Sequence, residues 1–245
     1  MKILVCISHV PDTTSKITFT DNNQKLNTSG LQFIIGPYDD YALARAIELK
    51  ESLHASVTVI NIGEADTEPT IRKALAIGAD DAIRVNAFPI DSFFVAKQIA
   101  HIAQQEKFDI ILTGRESIDF NGGQVHGMVG ELLGIPSVSP VMKLDVEGDK
   151  AMLVREIEGG KEYIEVKLPF VAGCQEPIAE WKIPSMRGIM SAKTKVLKVV
   201  EPVSVDHTSQ LVSYELPPAK GACKLIAADQ VEELVRLLKE EAKVL

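Results

Sequence analysis

The sequence has no long hydrophobic run and few cysteines, which excludes two large classes of protein. None of its apolar stretches approaches the roughly 18 to 20 residues of a membrane-spanning helix, because charged or polar residues interrupt each of them. No small-residue cleavage site follows the apolar start at 1–12, so we expect a first strand and no targeting segment. Cys6, Cys174 and Cys223 form neither a CxxC motif nor an even disulfide framework, which favours a reducing compartment.

The sequence also lacks an excess of positive charge and the common motifs of nucleotide binding and catalysis. Its net charge of -8 argues against nucleic acid as a partner. No GxGxxG follows a strand and no P-loop motif occurs, so the standard dinucleotide and P-loop folds are not indicated. No Ser-His-Asp, Cys-His or metal-ligand cluster is apparent, and we therefore predict no catalytic residues and no metal site.

The chain is rich in patterns typical of a folded α/β protein, with 46% apolar residues. Up to about residue 140, short β-branched runs alternate with helical patterns, which predicts a doubly wound, mostly parallel sheet. The predicted strands are nearly continuous apolar runs, as in strands buried on both faces, at 3–10, 56–62, 82–85, 109–113 and 137–139. The predicted helices follow candidate N-caps at Asp39 or Asp40, Thr67 and Asp91.

The second half of the chain changes character. Residues 141–174 alternate without helices around a glycine turn at 158–161, which predicts an antiparallel hairpin added to the sheet edge. Residues 175–228 show no sustained periodicity, so we expect an extended arm on another subunit, ending in a helix at 228–242. We therefore predict an α/β domain at 1–174 and an arm at 175–245. A smaller hairpin is expected where 16–19 and 31–35 flank a polar stretch.

A glycine-rich loop follows the predicted strand at 109–113 and leads into a helix beginning near Gly122. Loop amides and a helix N-terminus together favour an anion, so a phosphate can bind here. The alternative is that Gly114, Gly122 and Gly123 only supply turn conformations. Similar strand ends at 6–8 and 61–63 converge on the same edge of a parallel sheet, which favours a nucleotide site.

Six segments, read in order, form a recognisable set: MKILVCISHVPD, GPYDDYALARAIELKE, ALAIGADDAI, TGRESIDFNGGQV, REIEGGKEYIEVKLP and SMRGIMSAK. Together they resemble the beta subunits of electron-transfer flavoproteins. The most specific is REIEGGKE followed by a proline-containing strand. The resemblance implies a nucleotide-binding fold of the adenine-nucleotide alpha-hydrolase or universal-stress type, AMP as a structural cofactor, and an alpha subunit that holds most of a shared FAD.

The resemblance also implies which residues contact AMP. By position these are Cys6, Gly36, Pro37, Tyr38, Asp39, Ile62, Gly114, Asp119, Asn121, Gly122, Gly123, Gln124 and Val125. Of these, Asp119, Asn121, Gly123 and Gln124 are the expected ribose and phosphate contacts.

Three departures from other family members bear on this site. Gly36 replaces an asparagine that is frequent in animal members, and Thr13 replaces an aromatic residue near the flavin of some members. The loop also lacks the D-G-D-T-type sequence of electron-bifurcating members, which carry a second FAD in place of AMP. AMP is therefore favoured, although the small Gly122 and Gly123 leave a second FAD as an alternative.

Two further sites are implied by the resemblance. Glu156 matches a glutamate near the flavin of the partner subunit; the alternative is a solvated strand residue. The segment with Met186, Arg187 and Met190 matches the loop that docks client dehydrogenases, where a flexible apolar side chain suits several partners. The alternative for that segment is a basic linker with one buried methionine.

The expected function is that of an electron carrier without bond chemistry of its own. The resemblance implies a cytoplasmic heterodimer in a bacterium, which takes electrons from flavin dehydrogenases, such as the acyl-CoA dehydrogenases of fatty acid oxidation, and passes them to a quinone oxidoreductase or similar acceptor. A rival hypothesis is a stand-alone ATP-using, adenylating enzyme of related fold. Such enzymes usually carry S-G-G-x-D-S after the first strand, whereas this chain has Ser8-His9-Val10-Pro11. A lone nucleotide sensor is a third hypothesis.

Overall fold

The computed structural model describes residues 1–206 and 208–245. The chain divides into two compact units, a large one of residues 1–18 and 27–211 and a small one of residues 19–26 and 212–245. The strands are β1 (Lys2–Cys6), β2 (His9–Pro11), β3 (Phe19–Thr20), β4 (Lys25–Leu26), β5 (Phe33–Ile35), β6 (Ser56–Ile62), β7 (Asp81–Val85), β8 (Ile110–Gly114), β9 (Ser137–Glu147), β10 (Lys150–Ile157), β11 (Gly160–Lys167), β12 (Phe170–Cys174) and β13 (Leu197–Val200). The α-helices are α1 (Pro37–Leu53), α2 (Glu68–Ile77), α3 (Ser92–Glu106), α4 (Val125–Leu133), α5 (Met186–Ala192) and α6 (Val231–Glu240).

The large unit is built on a nine-stranded sheet in the order β11-β10-β9-β12-β8-β1-β6-β7-β13. All neighbours from β9 to β13 pair in parallel, and β10 and β11 join antiparallel at one edge. From β1 the chain winds through β6 and β7 to one side, then returns to β8 and β12 on the other. The predicted doubly wound, mostly parallel sheet with an edge hairpin is confirmed.

The central strands are buried on both faces because helices cover both sides of the sheet. Successive side chains of a strand point to opposite faces. Val5 of β1 thus packs in the cluster that contains Leu43 of α1, whereas the adjacent Leu4 packs in the cluster that contains Ile99 of α3. This double burial explains why the predicted strands are continuous apolar runs rather than alternating ones.

The predicted start of α3 is confirmed together with its cap, whereas α1 begins earlier than predicted and the side chain of Thr67 does not cap α2. Asp91 caps α3, since its carboxylate accepts a hydrogen bond from the backbone N–H of Phe94 at 2.7 Å. Helix α1 begins at Pro37, so the predicted caps Asp39 and Asp40 lie inside its first turn. Neither side chain caps the helix. The hydroxyl of Thr67 does not cap α2 either, because it donates to the carbonyl of Glu64 at 2.8 Å.

The extent of one predicted strand and one predicted strand pairing are wrong. The predicted strand at 3–10 is divided into β1 and β2, and β2 pairs antiparallel with β5. Residues 31–35 therefore do not pair with 16–19; the short hairpin at that place consists of β3 and β4. Alternation within a segment predicts a strand but does not specify its partner, which depends on where the segment packs.

The segment 141–174 is more than the predicted hairpin. β10 and β11 do form a hairpin at the sheet edge, around a turn with Gly159 at φ +81°. β9 extends it to three antiparallel strands, and β12 is a wholly buried parallel strand between β9 and β8. The sequence of β12, FVAGC, lacks the alternation of its neighbours, as a strand covered on both faces should.

The segment 175–228 is not irregular throughout. Ser185 caps α5 by accepting from the N–H of Gly188 at 3.0 Å, and β13 pairs in parallel with β7 at the far edge of the sheet. Residues 175–211 accordingly group with the large unit. Since both elements are short, at 7 and 4 residues, their periodicity is too brief to recognise in the sequence.

The small unit contains β3, β4 and the terminal helix α6. Phe19 stacks on Tyr214 with ring centroids 4.9 Å apart, and the backbone N–H of Tyr214 donates to the carbonyl of Asn23 at 2.7 Å. Helix α6 confirms the predicted C-terminal helix with narrower bounds, and it leaves Val231 and Leu234 exposed. Within the described part of the chain, no helix is long and apolar enough to cross a membrane.

Candidate functional site

A pocket opens at the carboxyl ends of β1, β6 and β8, next to the point where the strand order reverses between β1 and β8. Open α/β sheets bind their ligands at such a switch point. The concavity encloses about 860 Å³, its open mouth included. We call it the strand-end pocket.

Nine of the thirteen residues predicted as AMP contacts line the strand-end pocket. They are Cys6, Asp39, Ile62, Gly114, Asp119, Gly122, Gly123, Gln124 and Val125. The other four are not on its wall: Gly36, Pro37, Tyr38 and Asn121. The structure therefore brings together three strand ends and one loop that are far apart in the sequence.

Asp39 joins the two strands on either side of the switch point. Its side chain does not cap the helix: Oδ2 accepts from the backbone N–H of Ser8 at 2.8 Å and from its hydroxyl at 2.5 Å, and Oδ1 accepts from the N–H of Gly114 at 2.9 Å. Asp39 is 5% exposed. Both carboxylate oxygens thus bind the ends of β1 and β8, which leaves Asp39 little capacity to bind a ligand.

Burial raises the pKa of Asp39 to about 6, although the hydrogen bonds from Ser8 and Gly114 oppose this change. The carboxyl group of Asp39 is therefore ionised at neutral pH, where its charge strengthens the three hydrogen bonds that it accepts.

The close packing around Asp39 leaves no room for a side chain at Gly114. A Cβ atom on Gly114 would lie 2.8 Å from Cβ of Tyr38 and 3.0 Å from the backbone nitrogen of Asp39.

The loop between β8 and α4 forms one wall of the pocket. Gly123 has φ +58°, in the left-handed region that favours glycine, and the chain then enters α4 at Val125. The side chain of Asp119 is held within the loop, because it accepts from the hydroxyl of Ser117 and from the N–H of Phe120. Backbone amides and the N-terminus of α4 are consequently the groups best suited to an anion here.

Several pocket residues were not predicted from the sequence. The pocket is also lined by Ser8, His9, Thr113 and Arg115. His9 stacks on Phe33 with ring centroids 4.3 Å apart, and its Nδ1 lies 2.7 Å from the hydroxyl of Thr70. Burial lowers the pKa of His9, so its ring is neutral at pH 7. The signal in the sequence was the pair of polar residues directly after the first apolar strand.

Arg115 connects the pocket with the predicted Glu156 site. Its guanidinium lies over the ring of Tyr38, 4.7 Å from the centroid, and donates to Oε1 of Gln175 at 3.0 Å. Gln175 in turn donates from Nε2 to Oε2 of Glu156 at 2.7 Å. Glu156 itself is exposed, and the buried amide of Gln175 holds its carboxylate in place.

The predicted docking residues Met186, Arg187 and Met190 lie on α5 and are exposed, Met186 by 78%. The alternative of a buried methionine is wrong for Met186. Helix α5 packs against α2, and two cationic side chains hold its C-terminal end and the residues that follow. Arg72 donates to the carbonyls of Ala192 and Lys195 at 3.0 and 2.8 Å, and Lys195 donates to the carbonyl of Leu75 at 2.9 Å.

The described residues include no group of three or more His, Cys, Asp or Glu side chains placed to hold a metal ion. Two cysteines are buried, Cys6 beside the pocket and Cys174 at the end of β12. Burial and the nearby charge of Asp39 raise the pKa of both thiols. Neither is therefore poised as a nucleophile at neutral pH.

A pH-dependent stability follows from Asp40, whose pKa burial raises to about 6 against the weak attraction of Lys73 at 4.0 Å. Because the folded state keeps this proton to a higher pH than the unfolded state, the free energy of unfolding should fall as pH rises from about 4 to about 6. At about 1.4 kcal/mol per pKa unit, the contribution of Asp40 reaches about 3 kcal/mol.

Urea denaturation of wild type and Asp40→Asn at several pH values between 4 and 7 measures this effect. The free energy of unfolding of Asp40→Asn should fall less between pH 4 and 6 than that of wild type. In Lys73→Met the fall should continue to higher pH, because the positive charge that lowers the pKa of Asp40 is gone. Parallel pH curves for wild type and Asp40→Asn would contradict the prediction.

Comparison with known proteins agrees with this architecture. The model of the family described as "Electron transfer flavoprotein domain" matches residues 25–205. The chain is 35% identical to the electron transfer flavoprotein subunit beta of Bacillus subtilis over the full length of both chains. It is 33% identical to the human protein of that name, with 100% of this chain and 99% of the human chain covered. It is 36% identical to that of Syntrophomonas wolfei, with 91% and 88% covered.

Proposed function

Because this chain belongs to the electron transfer flavoprotein family, as a beta subunit, we propose that it binds AMP in the strand-end pocket as a structural cofactor. With an alpha subunit it forms a heterodimer that carries electrons on the FAD held mostly by that partner. The observation that carries the proposal is the location of the pocket at the switch point, where loop amides and the N-terminus of α4 suit a phosphate.

The pocket residues support a scaffold without bond chemistry of its own. The oxygens of Asp39 are engaged by Ser8 and Gly114, and the ring of His9 is held by Phe33 and Thr70. These side chains fix the shape of the pocket rather than face a reacting atom. A stand-alone adenylating enzyme would need a pyrophosphate-binding loop where the chain has β2 instead.

The two glycines of the loop have a structural explanation that does not require a second FAD. A Cβ atom on Gly122 would lie 3.1 Å from the hydroxyl of Ser92, so the close approach of the loop to α3 already uses the space that a side chain would fill. Gly123 is needed for its positive φ. Neither glycine therefore has to be explained by a larger ligand.

The exposed side chains of α5 support docking of flavin dehydrogenases, such as acyl-CoA dehydrogenases. Met186 and Met190 are 78% and 65% exposed beside Arg187. Flexible apolar side chains adapt to different partners, and the cation can steer acidic surfaces. The electrons then pass to a quinone oxidoreductase or similar acceptor. The small unit, with Val231 and Leu234 exposed on α6, packs on the alpha subunit.

A cofactor count tests the proposal. The chain is coexpressed with its alpha subunit, the purified complex is denatured, and the released FAD and AMP are measured. We expect one of each. Two FAD and no AMP would instead indicate an electron-bifurcating member, and a complex without flavin would contradict the proposed function.

A pair of glycine variants tests whether AMP and FAD bind at different sites in the complex. Gly123→Val places a β-branched residue at φ +58° in the pocket wall, and its complex should keep FAD and lose AMP. Gly148→Val is the matched control, with φ +62° in the β9–β10 turn and no neighbour within 4 Å. Its complex should keep both cofactors.

A further inference from the structure

A chain of hydrogen-bonded side chains leads from the strand-end pocket to Glu156. Arg115 lines the pocket and donates to Oε1 of Gln175 at 3.0 Å. Gln175 donates from Nε2 to Oε2 of Glu156 at 2.7 Å. The three residues come from separate elements: the loop after β8, the residue directly after β12, and the hairpin strand β10. Contact between them therefore exists only in the folded sheet.

The direction of each hydrogen bond in this chain is determined by chemistry. A guanidinium can only donate and a carboxylate can only accept, so the amide of Gln175 must turn its oxygen to Arg115 and its nitrogen to Glu156. Gln175 is 6% exposed, and its own backbone N–H is bound to the carbonyl of Val141 at 2.9 Å. If the amide turned over, its oxygen would face the carboxylate of Glu156 and its nitrogen would face the guanidinium of Arg115, so both hydrogen bonds would be lost.

Arg115 is held at the rim of the pocket by two further contacts. It lies over the ring of Tyr38, and its guanidinium pairs with Glu116 at 2.9 Å. Tyr38 belongs to the first turn of α1, next to Asp39, which binds the ends of β1 and β8. A ligand that immobilises the loop after β8 therefore also immobilises Arg115.

We infer that Arg115 and Gln175 are positioning residues that orient the carboxylate of Glu156 and couple it to occupancy of the strand-end pocket. The inference rests on the proposed function, in which the pocket holds AMP and Glu156 faces the flavin of the alpha subunit. A bound nucleotide fixes the pocket loop, Arg115 then keeps the amide of Gln175 in one orientation, and Gln175 fixes the negative charge of Glu156. By linkage, loss of the Glu156 contact must weaken nucleotide binding.

A double-mutant cycle in the complex with the alpha subunit tests the coupling. Labelled AMP is titrated into nucleotide-depleted complexes of wild type, Gln175→Met, Glu156→Met and the double variant. Each single variant should weaken AMP binding by about fivefold, the lower end of ordinary coupling between sites. The double variant should bind no more weakly than either single variant, because both remove the same connection.

Glu162→Met is the matched control. Glu162 lies on the neighbouring strand β11 and pairs with Arg155 rather than with Gln175. The Glu162→Met variant removes one negative charge from the same hairpin as Glu156→Met does. Its complex should bind AMP as the wild-type complex does.

The flavin supplies an independent readout. The midpoint potential of FAD in the wild-type complex should shift when AMP is removed, and in Gln175→Met it should be the same with and without AMP. Additive losses of AMP affinity in the cycle, or a Glu156→Met variant with wild-type affinity, would overturn the coupling. A wild-type complex without FAD would instead overturn the proposed function, while the AMP titration would still decide whether the pocket and Glu156 are linked.

Discussion

Replacement of Asp39 with alanine should lower the free energy of unfolding by about 3 kcal/mol and abolish AMP binding. The substitution leaves the N–H and hydroxyl of Ser8 and the N–H of Gly114 without their acceptor. Each buried donor without a partner costs about 1 to 3 kcal/mol. Part of this loss is offset, because the variant no longer buries a carboxylate whose pKa is raised to about 6 by burial. AMP binding should be lost as well, because the carboxylate of Asp39 links the ends of β1 and β8 at the wall of the strand-end pocket.

Urea denaturation at pH 7 and the AMP content of the complex with the alpha subunit measure these two effects. Asp40→Ala is the matched control, since the neighbouring Asp40 is also in the first turn of α1 but has only Lys73 at 4.0 Å as a partner. It should keep AMP and gain stability at pH 7, because its removal relieves the burial that raises the pKa of Asp40 to about 6. Equal losses in both variants would show that Asp39 acts as an ordinary first-turn carboxylate rather than as a link between two strands.

Replacement of Gly188 with alanine should lower kcat/KM toward a flavin dehydrogenase by about tenfold or more while both cofactors stay bound. Helix α5 approaches α2 so closely that a Cβ atom on Gly188 would overlap the carbonyl oxygen of Ala76 and lie 3.2 Å from its carbonyl carbon. Backbone atoms cannot move aside cheaply, and overpacking of this kind costs about 1 to 3 kcal/mol. The least costly response is displacement of α5, which carries Met186 and Met190 out of position.

Steady-state electron transfer from the dehydrogenase, with the complex as acceptor, measures this loss. Gly127→Ala is the control, because Gly127 is also helical and has no neighbour within 4 Å. That variant should transfer electrons as wild type does and gain about 0.5 to 1 kcal/mol of stability. Wild-type kinetics in Gly188→Ala would contradict a docking role for α5.

Long, strongly patterned segments were predicted well, and short segments were not. The apolar runs that became β1, β6 and β8 indicated a parallel sheet because strands buried on both faces need no polar residues. Helix α5 and strand β13 were missed because neither is long enough to show a period. β12 was assigned to the hairpin region because it follows a turn, although its composition is that of a central strand.

The candidate site shows the same division at the level of single residues. The glycines of the loop after β8 and the polar residues after β1 and β6 indicated a ligand at the strand ends, and these elements do line one pocket. His9 and Arg115 were not named as contacts, although both lie in segments that indicated the site. Glu156 was expected from resemblance alone; its partner Gln175 lies 19 residues away and has no signal in the sequence.

The sequence by itself determined the class of the fold, the position of the glycine-rich loop and the family, because these depend on local composition and on short motifs. The tertiary structure alone decided what individual polar side chains do. A carboxylate in the first turn of a helix can cap that helix or bind elsewhere, and Asp39 binds Ser8, 31 residues away, and Gly114, 75 residues away. Hydrogen bonds between such distant groups depend on which strands become neighbours, and that order is set by the packing of the whole sheet.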